Sequence, residues 1–336
     1  MLQHTAHFLQ KLRDISTCPS TSSDPAPVNL ELLYGLAIVD LITDLSLGKS
    51  FGSLAAGVES DWWTAMTNIF RLGRMSQMIA GSPILQSLTQ AYLTLFPRSR
   101  PARLLAAREY HVKHVEGMAR ERMQQEGSDR KDIVHYMLQH MHSDISAGVK
   151  GISEAEVLRN LAALLTAGSE TTVSLLCGAT YFLLRHPASL EQLQDELHTA
   201  FPDGAANIEQ VELLRLPYLN GVVEEALRLY PPALESLPRM VTQDVVIDGH
   251  VVPKGTVVGA SPYAAGRAEW NFREAEEWRP ERWLGGEEWK GDSRGASCAF
   301  GVGPRNCVGM RLVPVSPFCL CSATHSSRPL ADVHFL

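Results

Sequence analysis

The sequence predicts a mainly α protein with a small antiparallel β-sheet. Three observations carry that expectation. Apolar residues recur at helical spacing through most of the chain up to Tyr230. Pro231-Pro232 then closes the helical pattern. Beyond it, Val245-Val246-Ile247 and Val251-Val252 flank Asp248-Gly249, which reads as a hairpin with a two-residue turn.

The elements follow in order. Met1 to Ile15 reads as an amphipathic helix, and Ser16 to Val28, rich in Ser, Thr and Pro, as a loop. A helical run follows to about Ser46, and Gly48 to Glu59 is a glycine-spaced loop or short helix. Asp61 to about Ile84 is apolar and helical, with Pro83 near its end, and Pro97 to Pro101 is a turn. Ala102 to about Glu126 is a charged amphipathic helix, and Arg130 to about His142 a shorter one.

Ser153 and Glu156 form a capping box that opens the longest helix, residues 153–185, which stops at His186-Pro187. It should be on the order of 45–50 Å long. Its middle, Leu161 to Leu176, is apolar on nearly all sides and is expected to be buried. Ser189 to Ala200 and residues 218–230 are further helices. Pro253-Lys254-Gly255 turns the chain into a strand from Thr256 to Gly259, and Trp270 to Phe300 is loop-rich.

The chain has 336 residues, enough for one large domain or two smaller ones. A net charge of −7 without an acidic tail gives no support to a nucleic-acid partner. The six cysteines include no C-x-x-C pair and are too scattered for a disulfide scaffold, which favours a reducing compartment. Cys319, Cys321 and His325 match no zinc spacing. Met1 to Ile15 lacks the apolar run of a signal peptide. No stretch is expected to reach the length of a membrane span. The best candidate, Leu30 to Leu47, is interrupted by Glu31, Asp40 and Asp44 and reads as a buried helix.

Three constellations carry chemistry. In residues 298–309, Phe300, Gly303, Arg305, Cys307 and Gly309 follow F-x-x-G-x-R-x-C-x-G. A thiolate held against a metal needs lowered proton affinity and nearby N–H donors. Gly303 and Gly309 allow close backbone approach and are expected to take up φ > 0. Arg305 offers a permanent cation whose planar fork suits a carboxylate, and Phe300 an apolar wall. A lone G-x-R-x-C would favour a glycine-rich surface turn with an ordinary cysteine.

The second constellation, Ala167-Gly168-Ser169-Glu170-Thr171-Thr172, interrupts the apolar middle of the longest helix. Taken alone, it fits either a kink whose hydroxyls bond back to earlier carbonyls or a functional opening. The third is Glu225 and Arg228, an i, i+3 pair of a kind that is common and weak. It is followed downstream by Pro280-Glu281-Arg282-Trp283.

In this order the segments resemble the cytochrome P-450 monooxygenases. The cysteine loop resembles their haem-thiolate loop, residues 167–172 resemble the oxygen-activating segment (A/G)-G-x-(D/E)-T-(T/S), and the charged segments resemble E-x-x-R and P-E-R-(F/W). Asp40 to Gly52 is similar to the D-x-x-x-D-L-x-x-G-x-S-F-G segment of fungal microsomal members, in keeping with Tyr263 to Arg267 before Trp270. The narrower subgroup suggested is fungal hydroxylases of secondary metabolites.

The resemblance implies a cytochrome P-450 fold, here incomplete, holding haem b through the Cys307 thiolate, whose electron density favours O–O cleavage. It implies haem-propionate contacts at Arg305 and Arg239, with Phe300 shielding the sulfur. Thr171 would hydrogen-bond dioxygen, Glu170 would relay protons, and Ala167 and Gly168 would leave room beside the iron. Glu225, Arg228 and Arg282 would form a buried ion network with a structural role. The implied substrate is an apolar small molecule. Electrons would come from NADPH through a flavoprotein reductase, at the cytosolic face of the endoplasmic reticulum membrane.

The chain departs from the family pattern at both ends. It shows no anchor helix, proline-rich hinge, first sheet or W-x-x-x-R helix, and Trp62 and Trp63 come too late to replace the last. Without an anchor the chain could be cytosolic. After Gly309, Pro314 and Pro317 stop the helix that should follow, and Phe318 to Leu336 looks unrelated. The expectation is therefore a partial domain over residues 1–313 with an atypical tail over 314–336, as from a truncated or mis-spliced gene or a pseudogene. Two rival readings are a non-catalytic remnant of the same fold that cannot hold haem, and a hydrolase using Cys307 as nucleophile with a histidine. The hydrolase reading leaves the charge pair unexplained.

Overall fold

The structure, a computed structural model, describes residues 2–17, 28–57, 79, 82–125, 130–141, 151–202, 210–234 and 238–312. Helices occupy Leu2–Thr17, Leu30–Leu47, Ser53–Ala56, Pro83–Leu95, Arg100–Met123, Ile133–Gln139, Glu154–Arg185, Pro187–Ala200, Gln210–Leu213 and Pro217–Leu229. Strands β1 (Arg239–Met240), β2 (Val245–Ile247), β3 (His250–Val252) and β4 (Val257–Val258) follow. The helix Pro262–Gly266 and short 3-10 turns from Pro280 onward complete the described chain.

The strands form two separate two-stranded antiparallel sheets, not one. In the hairpin, Val245 pairs with Val252 and Ile247 with His250. Asp248 and Gly249 both take positive φ, 48° and 76°, as a two-residue turn matched to strand twist requires. The strand expected from Thr256 to Gly259 does not extend this hairpin. It returns as β4 to pair with β1, Met240 opposite Val257.

Pro83 also differs from expectation. It opens the separate helix Pro83–Leu95, with the Ser82 hydroxyl accepting from the Leu85 N–H at 3.4 Å. Proline suits that first turn because its missing N–H has no intrahelical partner there. The helix expected from Asp61 lies mostly outside the described residues. So do most of the Ser16–Val28 loop, Trp62 and Trp63, and the tail with Pro314, Pro317, Cys319, Cys321 and His325.

The chain forms two compact units, one of residues Leu32–Glu170 and one of Leu2–Glu31 with Thr171–Leu336. In the first, the helix Leu30–Leu47 contributes Tyr34, Leu36, Ile38 and Val39 to a core completed by Val115, Ala119, Val134, Leu161 and Leu165. Two of the three acidic residues that interrupt the apolar run of this helix, Asp40 and Asp44, have structural tasks. Asp40 is buried, and its carboxylate accepts from the Ser53 and Leu54 N–H groups at 2.8 and 2.9 Å, capping the helix Ser53–Ala56 from a distance. Asp44 pairs with Arg130 at 2.7 Å. Gly48 has φ 73°, and a Cβ there would lie 2.7 Å from Asp132 Oδ2, which bonds Arg122 Nε at 2.7 Å.

The helix Glu154–Arg185 begins at the expected box. Ser153 N–H donates to Glu156 Oε2 at 2.8 Å, and Glu156 N–H to the Ser153 hydroxyl at 3.3 Å. Its middle is not buried all round. Leu161, Leu165, Val173 and Leu176 are buried, whereas Ala163 and Ala167 are exposed one turn apart. Contrary to the sequence expectation, this helix is long and apolar enough to cross a membrane by length and composition, the one such among the described residues. Core helices pass the same test, and 44% of its apolar window is buried.

In the second unit, the helix Pro217–Leu229 buries most of its side chains. Glu196 caps it, accepting from the Tyr218 and Leu219 N–H groups at 2.8 Å each. Trp278 stacks on Phe182 at 4.8 Å and donates its indole N–H to the Ser189 hydroxyl.

Candidate functional site

The cysteine loop is built by local hydrogen bonds. Gly301 N–H donates to Cys298 O at 2.8 Å, Asn306 N–H to Gly303 O at 3.1 Å and Cys307 N–H to Phe300 O at 2.7 Å. The chain reverses this tightly because Gly301 and Gly303 sit at φ 70° and 82°. Gly303 was expected to do this, and Gly301 was missed. Gly309 serves by proximity instead: a Cβ there would lie 3.6 Å from Cys307 Sγ.

Cys307 is a free cysteine and exposed, not enclosed in an apolar pocket. Its neighbours Val302 and Val308 are 78% and 81% exposed. Phe300 is half-buried and Arg305 exposed. Arg239 stands in β1, also exposed, and donates to Pro238 O at 3.3 Å.

Glu225, Arg228 and Arg282 meet in one cluster with fully buried side chains. Arg228 grips the carboxylate with both Nε and Nη2, at 2.8 and 2.7 Å, the fork geometry that makes arginine suited to carboxylates. Its Nη1 donates to Gly266 O and Ala275 O, and Nη2 also to Glu277 O. Arg282 Nε reaches Glu225 Oε1 at 3.1 Å. Sequence reasoning missed two further donors to Glu225, the Trp283 indole N–H on Oε2 at 2.9 Å and the Arg279 N–H on Oε1 at 2.8 Å. Trp283 adjoins Arg282 within P-E-R-W, and a buried carboxylate needs several donors. Those two facts were the available signal.

The helix stays α-helical through Ala167 to Thr172. Thr166 and Ser169 hydroxyls bond back to Ala162 O and Leu165 O at 2.8 and 2.7 Å without breaking it. Ala167 is exposed, and Glu170 and Thr171 are half-buried. Gly168 has a packing reason of its own, since a Cβ there would come 3.1 Å from Ile42 Cδ1. His111 Nε2 lies 2.9 Å from the Thr166 hydroxyl, and burial lowers its pKa. The Cys177 thiol pKa is pushed up to about 12, first by burial and then by Glu31.

The cysteine loop fits a haem. It presents one soft sulfur donor, exposed, with glycine beside the sulfur, apolar side chains at Val302 and Val308 and a guanidinium two residues away.

A mainly helical chain with such a loop has the architecture of a haem domain. It matches the crystal structure of the cytochrome P-450DA heme domain with a TM-score of 0.74 at 21% identity, over 95% of this chain and 64% of that one. The cytochrome P-450 family profile matches residues 2–323, and the chain belongs to that family. It is similar to cytochrome P-450 monooxygenase aba2 of Botryotinia fuckeliana (strain B05.10), 34% identical over 297 residues, 87% of this chain and 54% of the relative. It is also similar to averantin hydroxylase of Dothistroma septosporum, 32% identical over 295 residues, and to cytochrome P-450 monooxygenase prhB of Penicillium brasilianum, 34% identical over 311 residues. These cover 87% and 91% of this chain, and 53% and 58% of the respective relatives. The chain spans about half the length of the curated relatives it matches.

Proposed function

We propose that the whole protein is a haem-thiolate monooxygenase of fungal secondary metabolism that hydroxylates an apolar small molecule. The observation that carries this reading is the free, exposed Cys307 in a loop turned by Gly301 and Gly303. Bound through Cys307, haem would supply dioxygen activation, with electrons from an NADPH-dependent flavoprotein reductase. Cys307 would hold the iron as its thiolate. Arg305 and Arg239, both exposed cations, would hold the propionates. Glu170 would hold the proton that oxygen cleavage requires, and the Thr171 hydroxyl would pass it on. Exposed Ala167, one turn from exposed Ala163, would leave space along the helix.

The reading includes association with the cytosolic face of the endoplasmic reticulum membrane. The helix Pro83–Leu95 supports it. Ile84, Leu85, Leu88, Tyr92 and Leu95 recur at helical spacing and all are exposed, as is Phe96 just beyond. No Asp or Glu occurs from Trp62 to Arg108, and Arg98, Arg100, Arg103 and Arg108 are exposed. An apolar face next to a purely basic segment suits an anionic lipid surface.

The decisive experiment is a carbon-monoxide difference spectrum of the reduced, haem-reconstituted chain and of its Cys307→Ala variant. The thiolate-type shifted Soret band in the first, lost in the second, is expected. Absence of any haem absorbance, or an identical band in both, would overturn the assignment.

A further inference from the structure

The triad of Glu225, Arg228 and Arg282 carries one negative and two positive charges, yet all three side chains are fully buried. Arginine does not shed its proton in proteins, so a buried net positive charge requires a further carboxylate. The structure supplies one. Asp292 Oδ2 lies 2.5 Å from Arg282 Nη1, and the aspartate side chain is 1% exposed. With it the cluster has two acids and two guanidiniums.

Asp292 also fixes backbone. Its Oδ1 accepts from the Arg273 N–H at 2.8 Å. On either side of it, Ser293 N–H donates to Asn271 O at 2.7 Å, and Arg294 Nη2 to Arg282 O at 2.5 Å. Residues 292–294 are thus tied at several points to residues 271–282, and the chain leaving this knot runs directly into the loop that carries Cys307. The hydrogen bonds within that loop are local, so its near end is anchored here.

We propose that Asp292 is a positioning residue for the Cys307 loop: it neutralises the second arginine of the buried cluster and clamps the near end of the segment that presents the sulfur. This inference rests on the haem-thiolate reading only for the purpose of that sulfur. The clamp itself is a property of the chain.

The test is peptide-resolved hydrogen–deuterium exchange on the full chain, with and without haem reconstitution, for wild type, Asp292→Asn and Asp292→Glu. Asp292→Asn removes one charge at constant shape. It is expected to raise exchange in residues 294–309 at least about tenfold while leaving the helix Pro187–Ala200 within about twofold, because local opening and global unfolding separate in this measurement. Asp292→Glu, which restores the charge, is expected to recover most of the protection. In reconstituted protein, Asp292→Asn is expected to move part of the carbon-monoxide band from the thiolate-type to the unshifted position. Unchanged exchange in residues 294–309, or an equal rise in both segments, would overturn the inference. If Asp292→Asn does not fold, exchange of the wild type in sub-denaturing urea decides: residues 294–309 opening together with residues 271–282 supports the clamp, and residues 294–309 opening while 271–282 stay protected refutes it. Failure of wild type to take up haem would sink the functional reading and leave the exchange result standing.

Discussion

Gly266 and Arg228 are locked together at a distance only glycine allows. Arg228 Nη1 donates to Gly266 O at 2.6 Å, and a Cβ on Gly266 would lie 2.6 Å from Arg228 O. The obstructing atom is backbone of a buried helix, so it cannot swing aside. Gly266→Ala should destabilise the chain by about 1–3 kcal/mol, the usual range for overpacking. A urea midpoint unchanged from wild type would show that the helix Pro262–Gly266 is free to shift.

Glu225 should be among the least replaceable of the described carboxylates. It accepts from Arg228, Arg282, Trp283 and the Arg279 N–H, all within 3.1 Å. Glu225→Gln leaves two buried guanidiniums facing one remaining acid, and removal of one partner from such a cluster costs about 3–5 kcal/mol. Loss of soluble, cooperatively unfolding protein is expected. A melting temperature within a degree or two of wild type would contradict the described geometry.

His111 should make stability depend on pH. Burial is the main cause of its lowered pKa, and neighbouring His114 lowers it further. The unfolded chain therefore binds the proton more readily than the folded one. Stability is fully present above the ordinary histidine pKa of about 6.5 and declines as pH falls through that value towards the folded pKa. Melting temperatures from pH 7.5 to 5 should fall more steeply for wild type than for His111→Gln. Parallel slopes would remove His111 as the cause.

Membrane contact through the helix Pro83–Leu95 predicts salt-sensitive binding to anionic vesicles. Leu88 is 62% exposed at the centre of the apolar face. Leu88→Glu forfeits its burial in lipid, about 1.5–3 kcal/mol, and adds a repelled charge, so binding should weaken at least about tenfold. Co-sedimentation with phosphatidylserine vesicles measures this. Equal binding by both proteins would exclude this face.

Much of the frame is legible in the sequence. The capping box at Ser153 and Glu156 starts its helix as written, because a cap is a contact between residues three apart. The Asp248-Gly249 turn was equally readable, since φ > 0 is a local demand. Pro83 misled because proline both ends helices and opens them, and local sequence does not say which.

The family can be read from the chain alone, because the spacing of a cysteine among glycines and of charges along a helix is written there. What balances those charges emerges from the folded packing. Asp292, Trp283 and Gly266 lie 67, 58 and 41 positions beyond Glu225, and each bonds directly to a member of the buried cluster. A buried ion must find its counter-charge and donors wherever the fold brings them, and linear spacing does not record that distance.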